Sequence, residues 1–428
     1  MSKEIKVDYL ARVEGEGALD IKLKDGKVET LQLKIFEPPR FFEAFLVGRS
    51  YLEVPDITAR ICGICPVAYQ MSSARAIEKM IGLNVPDDVK VLRRLLYLGE
   101  WIESHTLHVY ILHAPDFMGY ESALEMARDH ADLVRAALRL KRWGNRIMEI
   151  LGGRSVHPVS PRVGGFHRCP KKEELEPLLA DVSDVKRTAM DAIGWAAHLN
   201  FPDLDRKAEY VSLHHDKEYA ITEGRIRSTG GINAPEDEFD KLFVESQVPY
   251  STALRSLVGG KRPYVVGPQA RVNLNHDELA PEVLDKAKES GISFPLENPY
   301  MSIVARVLEV AHSVVEAEAI VRGYRTPSAP YVDGRPKAGE GAAITEAPRG
   351  ALFHRYTIDN GGMVKKARIV SPTAQNQSSM EADLLELAPS LAKMTTEKAT
   401  LLCEQTIRNY DPCISCSAHF LKLRVTSE

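Results

Sequence analysis

Near the start of the chain, hydrophobic and polar residues alternate with a period of two. Leu19, Ile21 and Leu23 interleave with Asp20, Lys22 and Lys24, and Leu31, Leu33 and Ile35 repeat the pattern after Asp25-Gly26. Such alternation on both sides of an Asp-Gly pair predicts a β-hairpin with one buried face. Most of the remainder carries helical spacing instead. Pro86-Asp87-Asp88 opens a helix whose apolar stripe is Leu92, Leu95, Leu96 and Ile102. A second helix carries Leu133, Ala136, Leu140, Trp143 and Ile147 and stops at Gly152-Gly153. A third runs through Val304, Leu308, Ala311, Val315 and Ala319. Residues 326–345, rich in Pro, Gly and Ala, read as a loop. A short β stretch near 353–370 and helices near 380–393 and 397–407 complete the pattern. The expected architecture is mainly α, a large helical bundle with a small N-terminal antiparallel β-sheet. One domain spans 1–428: a β-hairpin region at 1–36, a helical body at 60–400, a cysteine motif at 411–419 and a tail at 420–428.

Composition narrows the function. With 44% hydrophobic residues among 428, the chain can bury a sizeable core. A net charge of −4 gives no basic excess for nucleic acid or anionic membrane. No apolar run approaches the ~18 residues of a membrane span. The first residues, Met1-Ser2-Lys3-Glu4-Ile5, lack the apolar stretch of a signal peptide.

The chemistry sits in the cysteines. Cys62, Cys65, Cys169, Cys403, Cys413 and Cys416 are too few for a disulfide scaffold, and four of them form two C-x-x-C pairs. The pairs lie at opposite ends of the chain, so only the fold can bring them together. Four thiolates suit zinc, an iron–sulfur cluster or nickel. Structural zinc pairs usually share one small module. The second pair is also followed by His419, a fifth candidate ligand.

Arg60-Ile61-Cys62-Gly63-Ile64-Cys65 and Asp411-Pro412-Cys413-Ile414-Ser415-Cys416-Ser417-Ala418-His419 resemble the two signatures of nickel-iron hydrogenase large subunits. Further family-like strings include Arg12-Val13-Glu14-Gly15, Arg40-Phe41-Phe42-Glu43, Gly267-Pro268-Gln269-Ala270-Arg271 and Glu346-Ala347-Pro348-Arg349-Gly350. The wording around Cys62 and Cys65 looks most like the soluble, cytoplasmic, NAD(P)-linked branch. The resemblance implies that family's large-subunit fold and reversible heterolytic cleavage of dihydrogen. It makes Cys62 and Cys413 terminal nickel ligands. Cys65 and Cys416 would bridge to an iron that carries one CO and two cyanides. Glu14 matches the proton-relay glutamate beside Cys413; the plainer alternative is a solvated charge. Arg349 matches the arginine that faces a cyanide, against the alternative of a surface salt bridge, and Pro372 and Thr373 match the stretch around the other cyanide. Glu43, His419 and the carbonyl near Ile369 match the ligands of a magnesium or iron ion near the C-terminus. His105 and His108 would line the interior near the metals; in isolation they read as core or surface histidines. Cys169 and Cys403 read as ordinary buried thiols.

Two features depart from the family pattern. Tyr69 stands where many members have a histidine four residues after the second cysteine, so either its hydroxyl or another group would donate to a bridging sulfur. Residues Phe420 to Glu428 follow His419, where members are commonly cleaved after nickel loading. No G-x-G-x-x-G opens a helix, and two spare cysteines cannot hold a chain of iron–sulfur clusters. Electrons must therefore leave through a partner; the resemblance implies an iron–sulfur small subunit, with flavin, NAD(P)-binding and ferredoxin-like subunits beyond it. Two other readings stay open at this level: a cofactor-free coupling subunit related to that of respiratory complex I, and a zinc-stabilised binding protein.

Overall fold

The computed structural model describes residues 2–25 and 27–418. Three long helices form the centre: Asp87–Thr106, Ala131–Gly152 and Ser302–Gly323. Ala131–Gly152 buries Leu140, Trp143, Ile147 and Leu151 on one face and leaves charged residues on the other. Gly153, at φ 83°, ends it by turning left-handed where a side chain would be strained. The other two bury almost every residue of their inner halves. Leu95, Leu98, Trp101, Val304, Leu308 and Ala311 join one continuous apolar core with helices Pro66–Ile81 and Val182–Ala197. Cys62, Cys65, Cys413 and Cys416 belong to that same core. Asp87–Thr106 continues into a π-helical stretch, Leu107–His113.

The N-terminal hairpin forms as expected, with Leu19 opposite Leu33 and Ile21 opposite Leu31. Gly26 of the expected turn lies outside the described residues. The hairpin gains a third strand, Ser2–Val7, which sets Ile5 against Ile21. That strand has only two apolar residues among lysines and a glutamate, too short a pattern to read. The buried face packs on helices Pro372–Leu391 and Thr396–Arg408 through Leu384, Leu391, Cys403 and Ile407.

Two segments differ from the sequence expectation. Residues 339–345 are strand rather than loop: Gly339–Ala347 pairs with Gly350–Ile358 through the two-residue turn Pro348-Arg349, and Val364–Val370 adds the third strand. Small residues let this sheet lie against Pro66–Ile81, where the Ser72 and Thr345 hydroxyls meet at 2.6 Å. The helix expected from 380 begins at Pro372. Its first turns are polar but buried, because their side chains bind core backbone: Asn376 holds Val266 N and O at 2.9 and 3.1 Å, and Ser379 donates to Tyr264 O at 2.8 Å. Tertiary partners stabilise what periodicity reads as a loop. The 60–400 body also contains small sheets at Val211–His214 with Arg225–Ser228 and at Phe243–Gln247 with Leu254–Val258, so it is not purely helical. The whole remains mainly α, about half helix with small antiparallel sheets.

Helices Asp87–Thr106 and Ala131–Gly152 cross backbone to backbone at two glycines. A Cβ on Gly144 would lie 2.7 Å from Gly99 O and 3.0 Å from Glu103 N. Gly144→Ala should therefore push the helices apart and cost about 1–3 kcal/mol, read as a lower midpoint of thermal unfolding. An unchanged midpoint would contradict the contact.

Candidate metal centre

Cys62 follows the short 3-10 turn Ala59–Ile61, and Cys65 sits at the N-terminus of Pro66–Ile81. Proline in the first helical turn needs no hydrogen-bond partner there, which fixes where the helix starts. The next free N–H groups, Val67 N and Ala68 N, donate to the buried Glu100 carboxylate at 2.6 and 3.1 Å. Burial pushes the Glu100 pKa well above the usual carboxylate range, and these two bonds only partly oppose it. Cys65 donates to Cys62 Sγ from its Sγ (2.7 Å) and from its N–H (3.1 Å). Burial raises both thiols. At Cys62 the hydrogen bond from Cys65 and the charge of Arg349 outweigh it, so its pKa falls below an ordinary thiol while that of Cys65 rises.

The second pair arrives from the far end of the chain. Cys413 Sγ lies 3.8 Å from Cys62 Sγ, and the Cys413 and Cys416 sulfurs are in direct contact. The sulfurs of Cys62, Cys413 and Cys416 all fall within 4.8 Å of one another, and Cys65 joins them through Cys62. All four cysteines are nearly inaccessible to solvent. Backbone pairing sets this meeting: Ile414 N–H donates to Glu14 O (2.9 Å) and Glu14 N–H to Pro412 O (3.3 Å). The same register puts Glu14 Oε2 3.1 Å from Cys413 Sγ and 3.2 Å from Ser415 N. Arg40 ties the two motifs together, donating to Ile61 O (3.0 Å) and Ser415 O (2.5 Å).

Arg349 is buried, not a surface charge. Its Nε donates to Asp411 O (2.7 Å) and Nη2 to Asp411 Oδ1 (3.1 Å), and Nη1 stands 4.0 Å from Cys65 Sγ. Burial would lower its pKa, but Asp411 and the two sulfurs hold it above the usual guanidinium value. Thr373, beside Pro372 at the start of its helix, accepts from Cys413 N–H at 2.9 Å, which leaves its own hydroxyl hydrogen to donate.

The other expected residues scatter. Glu43 Oε1 accepts from Ile369 N–H at 2.7 Å, so those two are neighbours. His419 and the tail Phe420–Glu428 lie outside the described residues. His105 Nε2 is 2.9 Å from Glu309 Oε2, and burial lowers its pKa to about 4 despite that partner. His108 Nε2 pairs with Arg408 O at 2.8 Å. Both are core histidines, and no hydrogen bond between either and a cysteine is found among the described residues. The Tyr69 hydroxyl is buried without a hydrogen-bond partner among them, and its ring lies 5.6 Å from that of His354. Cys403 is buried, but Cys169 is half-exposed rather than buried. Glu100, Asp411 and Arg40 act directly on the site, yet none was assigned a role there from sequence. Glu100 is one acid among many on an amphipathic helix. Asp411 and Arg40 lie inside family-like strings, so their position in the sequence is a signal toward the site.

Buried sulfur donors converging from two motifs fit a soft, redox-active metal. The family model for nickel-dependent hydrogenase matches residues 40–136 and 301–419. The chain belongs to that family. Sulfhydrogenase 2 subunit alpha of Pyrococcus furiosus is 36% identical over 98% of this chain and 100% of its own length. The beta subunit of the NAD-reducing hydrogenase HoxS of Cupriavidus necator is 26% identical over 98% and 96%. A solved NAD+-reducing [NiFe]-hydrogenase in the H2-reduced state superposes with a TM-score of 0.88 at 26% identity, covering 97% of this chain and 99% of that one. A Dm. baculatum [NiFeSe]-hydrogenase, 22% identical over 98% and 100%, shares the fold at a TM-score of 0.81. The chain is thus the catalytic large subunit of a nickel-iron hydrogenase, an oxidoreductase acting on dihydrogen. A zinc-stabilised binding protein and a cofactor-free coupling subunit no longer account for it.

Acid sensitivity follows from the buried histidine beside Tyr69. Burial lowers the His354 pKa from 6.5 to about 3. The unfolded chain therefore takes up this proton first. Stability from a neutral His354 is complete above pH 6.5 and is lost as pH falls toward 3, at about 1.4 kcal/mol per pH unit. His354→Phe should flatten the pH dependence of unfolding free energy between about pH 6 and pH 4 by close to one proton. An unaltered slope would show that His354 is protonated in the fold.

Proposed function

We propose that this hydrogenase holds nickel through Cys62, Cys65, Cys413 and Cys416, with Cys65 and Cys416 also bridging to an iron that carries one CO and two cyanides. The observation that carries this is the meeting of two cysteine pairs from opposite ends of the chain, Cys62 and Cys413 being 351 positions apart, in one buried cluster. When bound, the bimetallic group supplies the redox-active electrophile that polarises dihydrogen for heterolytic cleavage. Every other task falls to the chain. Glu14 takes the proton at the Oε2 that sits 3.1 Å from Cys413 Sγ. Ser415 holds that carboxylate in place, its N–H donating to Glu14 Oε2 at 3.2 Å while its hydroxyl donates to Glu37 Oε1 at 3.0 Å. Arg349 presents charged donors to one cyanide, while Pro372 and Thr373 offer a helix start and a hydroxyl to the other. His105 and His108 keep the surrounding interior polar but uncharged, because burial lowers both their pKa values. Glu43, the backbone carbonyl near Ile369 and His419 are the ligands we assign to a magnesium or iron ion.

Electrons leave through an iron–sulfur small subunit, because Cys169 and Cys403 are too few for a cluster in this chain. The NAD-reducing relative and the NAD+-reducing structure favour NAD as the electron acceptor. We infer flavin, NAD(P)-binding and ferredoxin-like subunits beyond the small subunit, and a cytoplasmic location, from the resemblance to the soluble branch of the family. Among the described residues no helix is long and apolar enough to cross a membrane. Residues 1–428 act as one large-subunit domain.

Purified holoenzyme should contain about one nickel and one iron per chain and show infrared bands of metal-bound CO and cyanide. Tetrahedral zinc without nickel would end this reading. Glu14→Gln should keep its metals but lose hydrogen uptake and proton exchange by about 100- to 10,000-fold. Wild-type rates in that variant would remove Glu14 from the proton path.

A further inference from the structure

The string Gly267-Pro268-Gln269-Ala270-Arg271 has no task in the reaction described above. The structure sets it against the turn that carries Arg349. Arg271 is completely buried, and all five of its N–H groups are used. Nε and Nη2 grip the Glu309 carboxylate at 2.6 and 2.7 Å. Nη1 reaches Glu346 Oε2 (3.1 Å) and Ala347 O (2.8 Å), and Nη2 also reaches Pro348 O (2.9 Å). The guanidinium stacks 4.3 Å over the Trp101 ring, and Trp101 Nε1 donates to Glu346 O at 3.0 Å. On the other side, Gly267 has φ 112°, and a Cβ there would fall 2.8 Å from Arg349 O. The peptide oxygens of residues 346, 347, 348 and 349 are therefore each fixed by hydrogen bonding or close packing. They lead into a two-residue hairpin turn with Arg349 at its tip.

We propose that Arg271, backed by Glu309, Trp101 and the close approach of Gly267, is the positioning residue for Arg349. Two of its donors hold the turn carbonyls of Ala347 and Pro348, the other three bind the Glu309 and Glu346 carboxylates, and none goes toward the sulfurs. It thereby aims the Arg349 guanidinium at Cys65 without touching the centre itself. A flexible arginine on a loose turn would pair with Asp411 in many ways. A turn held at consecutive carbonyls allows few, which is the preorganisation that a charge-stabilising group needs. This rests on the reading that Arg349 acts at the metal centre.

The test is a double-mutant cycle in the purified multisubunit holoenzyme, with Arg271→Lys, Arg349→Lys and both together. Arg271→Lys keeps a cation for Glu309 but loses the fork. It should lower hydrogen uptake by about 10- to 100-fold with nickel and iron content unchanged. A crystal structure of the variant should show the Arg349 guanidinium displaced by more than about 0.5 Å from its place beside Cys65. Added to Arg349→Lys, it should cost no further rate. Multiplying losses, or an Arg349 that has not moved, would overturn the positioning role. A wild-type rate in Arg349→Lys would instead overturn the reading of Arg349 on which it depends. Should Arg271→Lys fail to fold, Gly267→Ala presses on the same turn from the opposite side while leaving every Arg271 bond in place. It should reproduce the loss and be silent in the Arg349→Lys background; a loss that persists there counts against the proposal.

Discussion

Sulfur from both ends of this chain has to be gathered in an apolar interior, where charge is expensive unless it is paired. Much of the architecture around the centre answers that constraint. The Arg349 guanidinium stands against Cys65 and is itself balanced by Asp411. Glu100 accepts the free N–H groups of the helix that begins at Cys65, which fixes that helix start without placing a cation there. Arg40 reaches the backbone of both cysteine motifs and so holds them at a common depth.

The approach of the two ends depends on further buried ion pairs. Asp116 is shared by Arg12, from the N-terminal segment, and Arg408, from the last long helix. Arg408 also donates to Ala11 O at 2.9 Å. These bonds hold the residues just before Glu14 against those just before Cys413. The backbone pairing of Glu14 with Cys413 then follows as a local consequence. A buried charge left without its partner is costly, so such pairs specify which segments meet more than they add net stability.

The same logic links rigidity to chemistry. A group that stabilises developing charge works best when its geometry is set before the reaction. Here the groups around the sulfurs come from a helix start at Thr373, a hairpin tip at Arg349, and a backbone bridge at Glu14. All three are places where the backbone itself is fixed by hydrogen bonds rather than by side-chain packing alone.

By itself, the sequence determined the cysteine pairs, the N-terminal alternation and the three central helices, because local periodicity and short motifs carry that information. It also marked Glu14, Arg349 and Thr373 by resemblance, although nothing in their neighbours' spacing required it. Tertiary structure alone decided the rest. The polar stretch 372–379 became buried helix because Val266 and Tyr264 supply its partners. The Gly- and Ala-rich segment from 339 became strand because Gly350–Ile358 and Pro66–Ile81 cover it. Glu100, Arg40 and Arg271 gained their places through contacts with residues remote in sequence. Burial and long-range pairing are properties of the folded chain, and no local pattern encodes which distant carbonyl or carboxylate a side chain will meet.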